Sequence, residues 1–284
     1  MYYKCIVLVI ASRGVAYDVF TDYWNRIILQ CPSSIKIFLL YSDPNLGLDS
    51  DSDSSAEIVV KDHIMTYRGE ESLEPGILLK TMAAFRYCEN NYDYDFILRT
   101  NLSSFWNFPV FSTYLLDLPT EKYIGNIFMQ VFDRNRYYVN YRWIHYFYLI
   151  DSLLPGGEGE GEGAGKDLFY FLDGAGFVLS RDMIRLVLIP AVIFEKILDI
   201  PDDVAITFLL YYNVSVIGGS GSIQIREINI LKHMCDTILL VSDLPLDTGF
   251  IRNKVYDDFG DRRVDRLNFA NEFDYFSYCR KINK

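Results

Sequence analysis

The run Cys5 to Ala11, CIVLVIA, is apolar at every position and stops at Ser12-Arg13-Gly14. A short apolar stretch rich in Val and Ile reads as a strand, Ile6 to Ala11, buried on both faces of a sheet, and it is far too short to cross a bilayer. Coming after Lys4 it also resembles a short signal-peptide core, but its Val and Ile content and its polar end suit a first strand better. Asp18 to Gln30 follows with Val19, Tyr23, Ile27 and Ile28 on one helical face, and Ile35 to Tyr41 reads as a second strand. Asp49 to Ser55 (DSDSDSS) is a polar connection, and Glu57 to Lys61 (EIVVK) a short third strand. Ile77 to Tyr87 has helical periodicity, and Asp95 to Arg99 (DFILR) is another buried strand. Strand and helix therefore alternate through the first 130 residues, which predicts a mostly parallel central sheet flanked by helices in a doubly wound, Rossmann-like arrangement.

The texture changes after Ile150. Pro155 to Gly165 (PGGEGEGEGAG) has nothing to bury and reads as a mobile acidic loop. Apolar segments resume at Leu168 to Leu172 and Gly176 to Leu179, so the loop belongs within one domain spanning residues 1–284 rather than between two. Met183 to Leu198 reads as a helix kinked at Pro190, Val204 to Tyr212 as a further helix, and Val214 to Gly218 as a late strand. The tail from Gly249 to Lys284 has no clear period.

Composition narrows the partners. With 38 acidic against 27 basic residues the chain carries a formal charge of −11, which would repel a polyphosphate surface and disfavours nucleic acid. No stretch is apolar enough for a membrane span. Cys5, Cys31, Cys88, Cys235 and Cys279 are widely spaced, with no CxxC pair, and read as reduced thiols. A cytoplasmic protein of a microbe or a large virus is the expectation.

Ligands of doubly wound sheets bind outside the carboxyl ends of the strands, which directs attention to Ser12-Arg13, to Arg99-Thr100-Asn101-Leu102-Ser103 and to Asp202-Asp203. Neither GxGxxG nor GxxxxGK[ST] occurs at those turns. The stretch Ile58 to Trp106 instead resembles the core of glycosyltransferase family 31, the β-1,3-galactosyltransferase and Fringe group. Leu78-Leu79-Lys80-Thr81 is similar to that family's "LTLKT", Cys88 to its helix-end cysteine, and Phe96-Ile97-Leu98-Arg99-Thr100 to the strand before its "DDD". Further on, Phe171-Leu172-Asp173-Gly174-Ala175-Gly176-Phe177-Val178-Leu179-Ser180-Arg181-Asp182 looks like "YPPYCSGAGYVLSRD", and Ile200-Pro201-Asp202-Asp203-Val204 like "LEDVFVG". The resemblance covers roughly half the chain and implies a single GT-A domain, with residues 1–130 as the nucleotide-binding half and 131–284 as the acceptor-binding half.

It also implies roles. The family's three carboxylates hold a divalent cation, Mn²⁺ or Mg²⁺, on the donor diphosphate, but Asn101-Leu102-Ser103 stands in their place and supplies at best two neutral ligands. The Asp-x-Asp strings at Asp49 to Asp53 and Asp93 to Asp95 read as solvated carboxylates, the second preceding its strand. Without the metal, the leaving diphosphate needs fixed cations, for which Arg13, Lys80, Arg99, Arg252 and Lys254 are the candidates. Ser12, Thr100, Asn101, Ser103, Asp173, Gly174, Ala175 and Gly176 complete the expected donor site, the glycines allowing close backbone approach to the sugar. By the resemblance Asp203 is the base that deprotonates the acceptor hydroxyl. Asp202 and Asp203 are equally suited to cap a helix, and Arg99 to a structural ion pair. Trp106 and Asp202 are placed toward the acceptor; Trp143, His145 and the Tyr137 to Tyr148 cluster read as platform or core.

The leading expectation is an inverting transferase moving a sugar from a nucleotide-diphosphate donor, UDP-linked by the resemblance, to a hydroxyl of an acceptor glycan or glycoconjugate. The alternative is a catalytically inactive relative that binds nucleotide-sugar or glycan. A metal-independent nucleotidyltransferase fits less well, because its Gly-rich N-terminal signature is missing.

Overall fold

The computed structural model of the chain describes residues 1–46, 56–102, 104–106, 108–125, 127–133, 166–172, 174, 176–217 and 250–252. The first half runs β1 (Tyr2–Ile10), α1 (Val15–Gln30), β2 (Ile35–Ser42), β3 (Ile58–Lys61), β4 (Ile64–Tyr67), α2 (Gly76–Asn91), β5 (Asp93–Asn101), β6 (Ser104–Trp106) and α3 (Phe108–Leu116). Then come β7 (Ile124–Gly125), β8 (Ile127–Asp133), β9 (Lys166–Leu172), β10 (Gly176–Ser180), α4 (Arg181–Val187), a 3₁₀ turn at Phe194–Ile197, α5 (Asp202–Ile217) and β11 (Phe250–Arg252).

Seven strands form one sheet in the order β3-β4-β2-β1-β5-β10-β7. The four central strands, β4, β2, β1 and β5, pair in parallel. The flanking pairs β3 with β4, β10 with β5, and β10 with β7 are antiparallel. The sheet is therefore mixed, not mostly parallel as the alternation of elements suggested. Two physical reasons account for the difference. Residues 62 and 63 make a two-residue turn with Asp62 at φ 58, a left-handed conformation that aspartate tolerates, and this folds β3 back on β4 as a hairpin. The second half of the chain returns to the free edge of β5 from the opposite direction, and periodicity carries no information on direction.

Strands β1, β2 and β5 are buried on both faces because their alternate residues feed two separate cores. Ile6, Leu8 and Ile10 of β1 pack with Phe38, Leu40 and Ile97 against α2, α4 and α5. Cys5, Val7 and Val9 pack with Ile37, Leu39, Phe96 and Leu98 against α1 and α3, around the fully buried Trp24. Trp24 is fixed by its indole N–H, which donates to Leu102 O at 2.9 Å. Free Cys5 and Cys88 lie in these cores.

Several local expectations are corrected. Met183 to Leu198 is not one kinked helix. Helix α4 ends at Val187, since Pro190 lacks an N–H and disfavours helical backbone at Ile189, and only a 3₁₀ turn follows. Val214 to Ile217 is not a strand but the last turn of α5; Asn213 just before it donates to Leu186 O at 2.8 Å, so tertiary contacts override the β preference of Val and Ile. Asp93 and Asp95 lie within β5 rather than before it, paired respectively with Arg181 and with Lys4. The 155–165 loop, the Tyr137 to Tyr148 cluster with Trp143 and His145, Cys235 and Cys279 fall outside the described residues. Among the described residues no helix is long and apolar enough to cross a membrane.

At the far end of α2 a charged knot joins the two halves. Arg181 Nε and Arg185 Nε donate to Glu89 at 3.1 and 2.6 Å, and the Tyr94 hydroxyl donates to it at 3.1 Å. Burial alone would raise the Glu89 pKa, but the Arg185 and Arg181 hydrogen bonds outweigh it and hold the carboxyl below its ordinary value. A carboxyl depressed in the folded state contributes stability that is present above its unfolded pKa and is lost as pH falls through the folded value. Urea midpoints of the wild type should therefore fall as pH drops below about 4.5. Glu89→Gln should flatten that part of the profile, and an unchanged slope would count against the knot.

Candidate functional site

Strand order alone marks where a ligand would sit. From β1 the chain proceeds outward through β2 to β4, then returns to β1's other side as β5, so the order reverses between β1 and β5. Open α/β sheets bind ligands at the carboxyl ends of strands at such a reversal. Ala11, Ser12 and Arg13 leave β1 there, and Arg99, Thr100 and Asn101 close β5 alongside, with Leu102 N–H donating to Ile10 O at 3.1 Å.

The pleat then decides which side each β5 residue faces. Arg99 shares the face of Ile97, toward α2 and α5, and there it is 2% exposed. Its Nη2 donates to Asp202 Oδ1 at 2.7 Å, and its Nη1 to Gly174 O at 2.6 Å and to Asn101 Oδ1 at 2.9 Å. Thr81 Oγ1 donates to the other Asp202 oxygen at 3.4 Å. Asp202 is 5% exposed, so this is a buried, hydrogen-bonded ion pair. The sequence set Arg99 against a diphosphate and Asp202 against an acceptor; both are committed to each other inside the protein.

Asp203 differs from its neighbour. It is half-buried in the first turn of α5, its Oδ1 accepts the Val204 N–H at 3.0 Å, and its carbonyl accepts the Thr207 hydroxyl at 2.8 Å. A methyl group at Gly174 would lie 2.5 Å from Asp203 Oδ2, so the glycine is what makes room for this carboxylate. The other glycine serves packing. A methyl group at Gly176 would meet Thr100 Oγ1 and the Trp106 ring, each at 3.0 Å, so its bare Cα accommodates the core and not a sugar.

Thr100 and Trp106 face the opposite core. The Trp106 indole N–H donates to Thr100 Oγ1 at 3.0 Å, the ring packs edge-on against Phe111 at 5.0 Å, and the residue is 4% exposed. It is a core residue and does not offer the acceptor a platform. Ser103, Asp173, Ala175 and Lys254 lie outside the described residues. The backbone of Arg252 is described: β11 runs antiparallel to β6, pairing Arg252 with Ser104. Residues 250–252 thus lie beside the segment just after β5.

A second cluster sits at the ends of β1 and β2. Lys80, 0% exposed, donates from Nζ to Ala11 O at 3.1 Å and to both oxygens of Glu71 at 2.8 and 3.0 Å. Burial pushes the Lys80 pKa down; Glu71 opposes that shift, and the nearby Arg99 adds to it. Glu71 further accepts the Ser12 hydroxyl at 3.1 Å and the Ser42 N–H at 3.3 Å. Arg13 is exposed, its guanidinium 5.3 Å from the centre of the Tyr41 ring. Glu71 and Ser42 carry no signal in the sequence, since neither belongs to a motif or an apolar period.

A divalent cation does not fit the described residues here. Asn101 turns its amide inward, its Nδ2 donating to Gly174 O at 2.6 Å and its Oδ1 accepting from Arg99. Leu102 is buried in the α1/α3 core, and a guanidinium rather than a carboxylate adjoins the position. Among the described residues no three His, Cys, Asp or Glu side chains gather as a metal set. No protein-family model and no curated protein matches the chain.

Proposed function

We propose that the chain is an inverting GT-A-type glycosyltransferase that moves a sugar from a UDP-linked or related donor to a hydroxyl of an acceptor glycan or glycoconjugate, without a divalent cation. The observation that carries this reading is the unequal treatment of two adjacent carboxylates. Asp202 is buried against Arg99, and Asp203, one residue on, is half-buried with its carboxylate facing a glycine whose missing side chain makes room for it. Pairs of acids whose surroundings set them apart are how one site divides structural from proton-transfer work.

In the proposed reaction Asp203 takes the proton of the acceptor hydroxyl as its oxygen bonds to the anomeric carbon. The bond from that carbon to the phosphate oxygen breaks on the opposite face, and its electron pair leaves with the nucleoside diphosphate. Exposed Arg13 at the end of β1 is available to the departing charge, and Arg252 is carried to the neighbourhood by the β11–β6 pairing. Free Cys5, Cys31 and Cys88 support a cytoplasmic setting.

The inward turn of Asn101, where the resembled family has carboxylates, favours a second reading as a nucleotide-sugar or glycan-binding module without turnover. One experiment separates the two: melting temperatures with UDP-, GDP- and dTDP-sugars, with Mn²⁺ or with excess EDTA, beside an assay for transfer. A ligand at 100 times its Kd adds about 2.7 kcal/mol, roughly 5 to 10 °C for a chain of this size. The enzyme reading expects one donor class to give such a shift, and turnover, in EDTA. A shift without turnover supports the binding module; stabilisation only with Mn²⁺ overturns metal independence; no shift with any donor overturns the enzyme and the nucleotide-sugar module alike.

A further inference from the structure

The cluster around Glu71 is built like an anion site whose occupant belongs to the protein. Lys80 lies at its floor with no exposed surface, the Ser12 hydroxyl and the Ser42 N–H converge from the ends of β1 and β2, and all three donate to one carboxylate. A buried ammonium needs an anion beside it, because desolvation otherwise disfavours its charged form. The anion comes from the connection between β4 and α2, and not from a regular element. Its base is tied to α2 through Ser72, which accepts the Gly76 and Ile77 N–H groups at 3.0 and 3.1 Å, whereas the Glu71 carboxylate reaches across to the strand ends. The Glu71 side chain is 37% exposed, so solvent reaches it while Lys80 beneath is sealed.

Ser42, whose N–H reaches Glu71, also carries a buried hydroxyl. Ser42 is 7% exposed, and its buried Oγ has no hydrogen-bond partner among the described residues. A carboxylate has two oxygens, both already engaged by Lys80, Ser12 and the Ser42 N–H. A phosphoryl group brings three oxygens of greater charge to the same donors.

We propose that Ser12, Ser42 and Lys80 form a phosphoryl-binding site and that Glu71 is a displaceable plug, surrendering these donors when the phosphate of a ligand arrives. The exchange replaces one anion by another over Lys80, so the buried ammonium is never left alone. In the proposed transferase the incoming group is a phosphate of the nucleotide donor; that identification rests on the proposed function, while the site itself does not.

Titration calorimetry with inorganic pyrophosphate, which carries neither base nor sugar, tests the site. Glu71→Gln keeps the size of the plug and removes its charge, and should bind pyrophosphate at least tenfold more tightly than the wild type. Adding Lys80→Met to it should abolish binding, and adding Ser42→Ala should weaken it. Equal or weaker binding by Glu71→Gln overturns the plug, as does binding that survives Lys80→Met. Should Glu71→Gln fail to fold, hydrogen exchange of the wild type decides: pyrophosphate is expected to increase amide exchange in residues 68–75, and unchanged or slowed exchange overturns the proposal. Failure here is distinct from failure of the transferase reading. Sugar transfer without pyrophosphate binding removes the plug alone, and tight pyrophosphate binding without transfer removes the enzyme alone.

Discussion

Asp203→Asn is expected to lower sugar transfer by about two to four orders of magnitude, the usual contribution of a positioned general base, with donor affinity and melting temperature close to wild type. Asparagine keeps the shape of the side chain and an oxygen for the Val204 N–H, so the helix start should survive. A variant at the facing glycine approaches the same carboxylate from the other side. Gly174→Ala leaves the base chemically intact but sets a methyl group 2.5 Å from Asp203 Oδ2, so the side chain must turn away. It too should lose turnover while binding donor. Undiminished turnover in Asp203→Asn would reject the assignment of the base, and a loss in Asp203→Asn without one in Gly174→Ala would reject the geometry.

The second large effect is on stability. Arg99→Met removes the guanidinium that bonds Asp202 and the Gly174 carbonyl, leaving a carboxylate 5% exposed that keeps the 3.4 Å hydrogen bond from Thr81 and the more distant charge of Lys80. Removing one partner of a buried ion pair typically costs about 3 to 5 kcal/mol, chiefly because the remaining charge stays buried. Urea denaturation should show a loss of that size for Arg99→Met. The double replacement Arg99→Met with Asp202→Leu should recover most of it, since no lone charge remains. A single variant within about 1 kcal/mol of wild type would mean that Asp202 finds water or another partner. A double variant no better than the single would mean that Arg99 acts mainly through Gly174 and Asn101.

How far the sequence revealed this arrangement depended on what kind of information each feature needs. The central strands were legible because burial on both faces leaves an unbroken apolar run, as in CIVLVIA, and α1 and α2 because their apolar positions keep a helical period. Direction and pairing were not. Nothing in GFVLS of β10 says that it enters antiparallel to β5, and the four-residue β4 and two-residue β7 are too short to show alternation. Candidate site residues were found as types at strand ends, but their assignments changed with burial. Arg99, Lys80 and Trp106 each carry chemistry useful to a ligand, and each is sealed in the protein by a partner distant in sequence: Asp202, Glu71 and the α1/α3 core. Glu71 lacked any signal of its own, because its importance arises from a loop crossing that only three dimensions reveal.

The alternation along β5 carries one more implication. Leu98 and Thr100 serve one core and Ile97 and Arg99 the other, so the strand has no interchangeable positions. Inserting or deleting a single residue ahead of Arg99 would exchange the two sets and drive a guanidinium toward Phe96, Trp24 and Phe111 while handing Asp202 an aliphatic neighbour. Point changes here are matters of degree, whereas a slip of one position is a matter of kind. The strand therefore acts as an indexing element for the molecule: length changes can accumulate in the connections around it, but its own residue count is fixed by the two cores it keeps apart.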